Sequence, residues 1–137
     1  MKPGIGAMLF MLGGGSKHSS DEYVGKKIKS AVMYENALYI DFEDGVQIRI
    51  FDDGQSCCEH RYMTCDDNLI DLVGNNWVAA EVTDGPSLKD GGEWSEDHDQ
   101  QFLVIKTSGG VVTIANHNEH NGYYGGFGLT IEDRKDV

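Results

Sequence analysis

Most of the side chains able to do chemistry lie in two short stretches. The first is Asp52-Asp53-Gly54-Gln55-Ser56-Cys57-Cys58-Glu59-His60-Arg61-Tyr62-Met63, and the second is Asn116-His117-Asn118-Glu119-His120-Asn121-Gly122-Tyr123-Tyr124-Gly125-Gly126-Phe127. If the first is extended, Cys58 and His60 point to one face of its strand, while His117 and His120 lie close together on the second, and all four are ligand types that zinc accepts. The spacing is neither CxxC nor HExxH, and adjacent Cys57 and Cys58 point to opposite faces of a strand. Free cysteines are more often small buried hydrophobes. The expectation is therefore no bound cofactor, with zinc on Cys58, His60, His117 and His120 as the alternative. Glu119 flanked by His117 and His120, with Glu59 and Asp53 facing them, supplies proton donors and acceptors that burial can tune toward neutrality. A nucleophile elbow is missing, since Gly54-Gln55-Ser56-Cys57 lacks the closing glycine of GxSxG. The run GYYGGFG leads into a strand and carries no lysine, so it is no phosphate cradle. The plainer reading is that Asn, Asp, His and Gly runs satisfy backbone groups in tight loops, with Tyr62, Tyr123 and Tyr124 as amphipathic lids.

The two runs resemble a family of small proteins of unknown function encoded by bacteriophages and prophages, whose recurring patterns are similar to GQSCCE-x-RYM and NHNEHNGYYGGF. The resemblance covers about Val24 to Glu132 and leaves out the N-terminal arm and the acidic insertion. His60 falls at the variable position. What carries over is Gln55, Ser56, Cys57, Cys58, Glu59, Arg61 and Tyr62, together with the residues of the second run. The resemblance implies a phage setting, and with it the host cytoplasm, but brings no activity. The candidate ligand-binding residues are Gln55, Ser56, Cys58, Glu59, Arg61, Tyr62, His117, Asn118, Glu119, His120, Asn121, Tyr123 and Tyr124.

The elements that position these runs read as strands. A chain of 137 residues fits one domain with one core. VGKKIKSAVMY is a first strand ending in a Glu35-Asn36 turn. ALYIDF and VQIRIF alternate apolar and polar residues around Glu43-Asp44-Gly45, the signature of a hairpin. Thr64 with Asp67 three residues on looks like a capping box, which predicts one short helix over 68–73 stopped by Gly74. WVAAEVTD follows as a strand, QFLVIKTS and VVTIAN as a second hairpin around Gly109-Gly110, and GFGLTIED as the last strand. Val24-Gly25, Ile28 and Ala31 match Val73-Gly74, Trp77 and Ala80, while Leu38, Ile40, Gly45 and Val46 match Leu103, Ile105, Gly110 and Val111. The fold expected is mostly β, six to eight strands and one short helix, with two similar strand-hairpin-loop halves (24–63 and 73–132) forming a β-sandwich or open barrel. Equivalent strand ends then bring the two runs to one end of the fold as a joint site.

Residues 1–20 form a separate apolar, glycine-rich arm ahead of a single β-rich domain over 21–137. Exposed Met8, Leu9, Phe10, Met11 and Leu12 ask for burial against a host protein or a second copy of the chain. A net charge of −12, focused between Asp84 and Asp99, argues against direct nucleic-acid binding. Three cysteines crowded at Cys57, Cys58 and Cys65 are no secreted disulfide framework, and no apolar run is long enough to span a bilayer. These features together point to a phage accessory protein that engages a host protein or sequesters a small polar ligand. The alternatives are a small metal-dependent or acid-base enzyme of phage nucleotide or nucleic-acid metabolism and a virion-associated structural protein.

Overall fold

A computed structural model describes residues 18–54, 59–85, 88–89, 97–120 and 127–134, with Glu59, Leu88, Lys89, Asp97 and His120 described in their backbone alone. Nine strands are found among these residues: β1 Ile28–Tyr34, β2 Ala37–Phe42, β3 Gln47–Asp52, β4 Glu59–Thr64, β5 Trp77–Asp84, β6 Leu88–Lys89, β7 Asp97–Thr107, β8 Gly110–His120 and β9 Leu129–Asp133. Local chemistry explains the hairpins. Glu35 and Asn36 both take positive φ, 47° and 60°, which is the twist a two-residue turn needs between β1 and β2. The β2–β3 turn falls at Glu43-Asp44-Gly45, where Asp44 Oδ1 accepts from the Val46 amide.

The strands form two antiparallel sheets packed as a sandwich, not a closed barrel. One has the order β1-β2-β3-β9, the other β4-β8-β7-β5, with short β6 paired to β7. Each half of the chain therefore makes a three-stranded meander and gives its next strand to the other half. β4 follows β3 in sequence but pairs with β8, and β9 follows β8 but pairs with β3. The halves also meet through reciprocal backbone bonds. Gly25 N donates to Trp77 O and Gly74 N to Ile28 O, at 2.9 and 2.8 Å, while Trp77 N donates to Lys26 O and Ile28 N to Asn75 O. One offset, Gly25 to Gly74 and Ile28 to Trp77, turns each bond into its counterpart, as a pseudo-twofold axis through the Lys27–Asn76 bridge requires. Gly25 and Gly74 make this crossing at φ 85° and 86°, where an L side chain is strained.

Alternation buries Leu38, Ile40, Phe42, Ile48 and Ile50 from one sheet against Ala80, Val82, Leu103, Ile105, Val112 and Ile114 from the other. Trp77 is wholly buried, edge-on to Tyr23 and Phe42. Its Nε1 donates to Ser20 O, and Ser20 Oγ accepts from the Ala80 amide. Ser20, placed in the arm by its composition, is thus fastened into the body; residues 1–17 lie outside those described.

Two expectations need correction. The helix over 68–73 is a single 3₁₀ turn, Leu69–Leu72. Asn68 caps it by accepting from the Ile70 amide, and Thr64 lies in β4 instead of capping. Leu72 is buried and Leu69 packs half-buried against the core, so two apolar contacts anchor a turn too short to carry a helical stripe. The strand total exceeds six to eight because part of the first chemically rich run, read as a loop, is strand β4, and the acidic run contributes the short β6; the second run only lengthens β8.

Candidate functional site

β4 and β8 pair directly, with Glu59 opposite His120, His60 opposite Glu119, Arg61 opposite Asn118 and Tyr62 opposite His117. The described parts of the two runs are therefore neighbours in one sheet. Gln55, Ser56, Cys57, Cys58, Asn121, Tyr123 and Tyr124 lie outside the described residues, as do the side chains of Glu59 and His120. The pleat then divides the candidates between two faces. Arg61 and Asn118 share the inner face with Met63 and Asn116. His60, Tyr62, His117 and Glu119 share the outer face, joined by His98 from β7, which stands opposite Glu119.

The inner face changes character along its length. Between Leu103 and Ile114 it is apolar, but its β4 end carries Asn116, 1% exposed, and Asn118, 0% exposed. Arg61 reaches across to Asp52 at the end of β3, so this ion pair ties one sheet to the other. Asp52 Oδ1 accepts from Arg61 Nη1 at 2.8 Å, from Gly54 N at 2.9 Å and from Gly128 N at 3.2 Å. Gly54 is required here, because a Cβ would stand 2.5 Å from Arg61 Nη1. Asn116 Nδ2 donates to Gln101 O. Two buried acceptors, Asn116 Oδ1 and Asp52 Oδ2, have no hydrogen-bond partner among the described residues.

The outer face holds a connected set of rings. Tyr62 stacks on His117 with centroids 4.5 Å apart and planes 5° from parallel, and His60 lies on Tyr62 at 4.9 Å. Tyr62 OH donates to Glu119 Oε2 at 2.5 Å and stands 3.5 Å from His98 Nε2. His117 is engaged at both nitrogens, Nε2 by Thr64 Oγ1 at 2.8 Å and Nδ1 by His98 Nε2 at 2.9 Å. Burial, aided by the bond to the Glu119 carboxylate, pushes the Tyr62 phenol up to about 12. It remains a proton donor at neutral pH. Burial and then the neighbouring His98 push His117 below the usual imidazole range, so this ring is neutral at pH 7.

The alternative zinc set does not assemble from what is described: the Tyr62 ring lies against both His60 and His117, and Cys58 and the His120 side chain are outside the described residues. No group of three His, Cys, Asp or Glu side chains forms a ready metal cage among the described residues. Cys65 is a half-buried free thiol whose pKa burial raises. A hollow of about 180 Å³ adjoins the ring cluster, lined by Thr64, Asp66, Asp67, Phe102, Thr113 and Ala115. A larger cleft, about 470 Å³ between Tyr39, Arg49, Glu132 and Arg134, lies on the outer face of the other sheet and shares no residue with either run.

A family model for a domain of unknown function, DUF7448, matches residues 21–128. The chain belongs to this family. No curated protein and no solved structure matches it. The matched span runs from Asp21, in a 3₁₀ turn Ser20–Tyr23, to Gly128, so it takes in Asp52, Arg61, Asn116 and the outer rings. Among the described residues no helix is long and apolar enough to cross a membrane.

Two residues that matter here stand outside the ligand-binding set read from sequence. His98 was absorbed into the acidic run between Asp84 and Asp99, although extending the alternation of QFLVIKT backward places His98, Gln100 and Phe102 on one face. Asn116 carried no mark of burial in sequence, since polar residues flank it on the side of the run.

Proposed function

We propose that this domain is a binding module of a phage-infected host cell, and that it holds a small polar ligand at the polar end of the sandwich beside Asn116, Asn118, Arg61 and Asp52. The observation that carries the reading is the pair of buried acceptors, Asn116 Oδ1 and Asp52 Oδ2, lacking partners among the described residues. A buried acceptor left unmade costs about 1–3 kcal/mol, so such atoms call for a water, an ion or a ligand. Because both atoms accept, the matching ligand presents N–H or O–H donors, as a polyol, amide or amine does. An anion such as a phosphate meets two acceptors and a net charge of −12. The phage setting rests on the likeness of the two runs to phage-encoded proteins, and engagement of a basic host protein is favoured by the charge focused between Asp84 and Asp99.

Native mass spectrometry of protein isolated under gentle conditions tests the ligand reading, followed by thermal-shift screening against polyols, nucleosides and polyamines. The expected result is one class that shifts the wild type and leaves Asn116→Leu unmoved. Equal responses of the two proteins across every class would overturn it.

A further inference from the structure

We propose that the outer face of the second sheet binds one late first-row divalent metal ion between His98 Nε2 and His117 Nδ1, with Glu119 as the carboxylate donor. This site is independent of the polar ligand reading, since it faces away from the sandwich interior.

The argument starts from the two nitrogens, 2.9 Å apart on adjacent strands. Metal–imidazole bonds of about 2.0–2.1 Å would give two such nitrogens an angle near 90° at a shared ion. That angle suits square-planar or octahedral Cu²⁺ and Ni²⁺ better than tetrahedral Zn²⁺, which needs the nitrogens several tenths of an ångström further apart. The second requirement is a free lone pair aimed at the ion. Thr64 Oγ1 sits 2.8 Å from His117 Nε2, and when it accepts the Nε2 proton, Nδ1 is left as the donor atom facing His98. Stacking on Tyr62 fixes the plane of the same ring. For metal entry the proton shared along the N···N contact moves from His98 Nε2 to its Nδ1, which frees both facing nitrogens with no net proton released.

Glu119 is directly opposite His98 in the strand register. Its Oε2 is held by Tyr62 OH, which is itself 3.5 Å from His98 Nε2. Three His, Cys, Asp or Glu side chains do not yet converge among the described residues. The carboxylate has to turn away from Tyr62 to complete the set. The remaining coordination positions go to water.

The test titrates Ni²⁺ and Cu²⁺ separately into the full chain by calorimetry in a non-chelating buffer, with electron paramagnetic resonance of the Cu²⁺ form. The wild type is expected to bind one equivalent with the signature of two imidazole nitrogens. His98→Asn, a half-buried position where thermal melting can verify the fold, should lose that signature. Thr64→Val should bind about tenfold or more weakly with the signature retained, as expected when the partner that orients a ligating histidine is removed. Binding by other groups is recognised by a signal that His98→Asn leaves unchanged. If that is the sole signal, or if no saturable binding occurs, the proposal is wrong.

Discussion

Arg61→Ala should be among the most damaging single changes in this protein, although Arg61 lies in a run that composition assigns to a loop. Its side chain is 9% exposed and that of Asp52 8%, so the pair is shielded from water and ties β4 of one sheet to β3 of the other. Truncation takes away the 2.8 Å bond to Asp52 Oδ1 and leaves a buried carboxylate with two amide donors, Gly54 N and Gly128 N. Breaking one side of a buried ion pair costs about 3–5 kcal/mol. A domain of this length loses roughly 3–4 °C of melting temperature per kcal/mol, which makes the expected drop about 9–20 °C. Burial also makes the pair insensitive to salt. Urea unfolding of the wild type, Arg61→Met, Asp52→Asn and the double variant gives the coupling directly. The double variant should be less destabilised than the sum of the singles. A loss under about 1 kcal/mol for Arg61→Ala, or additive singles, would show that the two sheets are not joined through this pair.

Gly25→Ala and Gly74→Ala should each cost about 1–2 kcal/mol in chemical denaturation, and by similar amounts, because each residue makes the same left-handed crossing and a Cβ meets nothing within 4 Å at either; unequal costs would argue against equivalent roles. His117 has a folded-state pKa below its unfolded value near 6.5, so the unfolded chain takes up the proton first. Stability should be full above about pH 6.5 and decline as the pH falls through that value toward the folded pKa. Comparing unfolding at pH 7.5 and 5 should show this decline reduced in His117→Gln, and an unchanged decline would assign it to other groups.

Much of the fold was legible because its signals are local. Alternation in ALYIDF and VQIRIF marked two strands, Glu35-Asn36 and Asp44-Gly45 marked their turns, and matched Val-Gly pairs pointed to two similar halves. The exchange of β4 and β9 was not legible. Nothing within a few residues of β4 says that it pairs with β8 instead of the preceding strand, since that choice is made by long-range packing. The same polarity hid the end of β8. Alternation reveals a strand when one face is apolar, and here Asn116 and Asn118 turn inward while His117 and Glu119 turn outward, so both faces read as polar. A joint site was expected from equivalent strand ends. The described residues do come together, but one residue's difference in register sends Arg61 and Tyr62 to opposite faces, a distinction that composition does not carry.

The central claim is that Asn116, at the polar end of the interior, is kept for a ligand and not for the fold, while Arg61 and Asp52 beside it join the sheets. Asn116→Ala tests it most directly, because it removes a buried acceptor that has no partner among the described residues and gives up one made bond, Nδ2 to Gln101 O. Thermal unfolding of ligand-free protein should show a loss of no more than about 1.5 kcal/mol, the net worth of that one bond. A loss of 2 kcal/mol or more, at the order expected for a broken structural network, would mean that Asn116 serves the fold and would contradict the account.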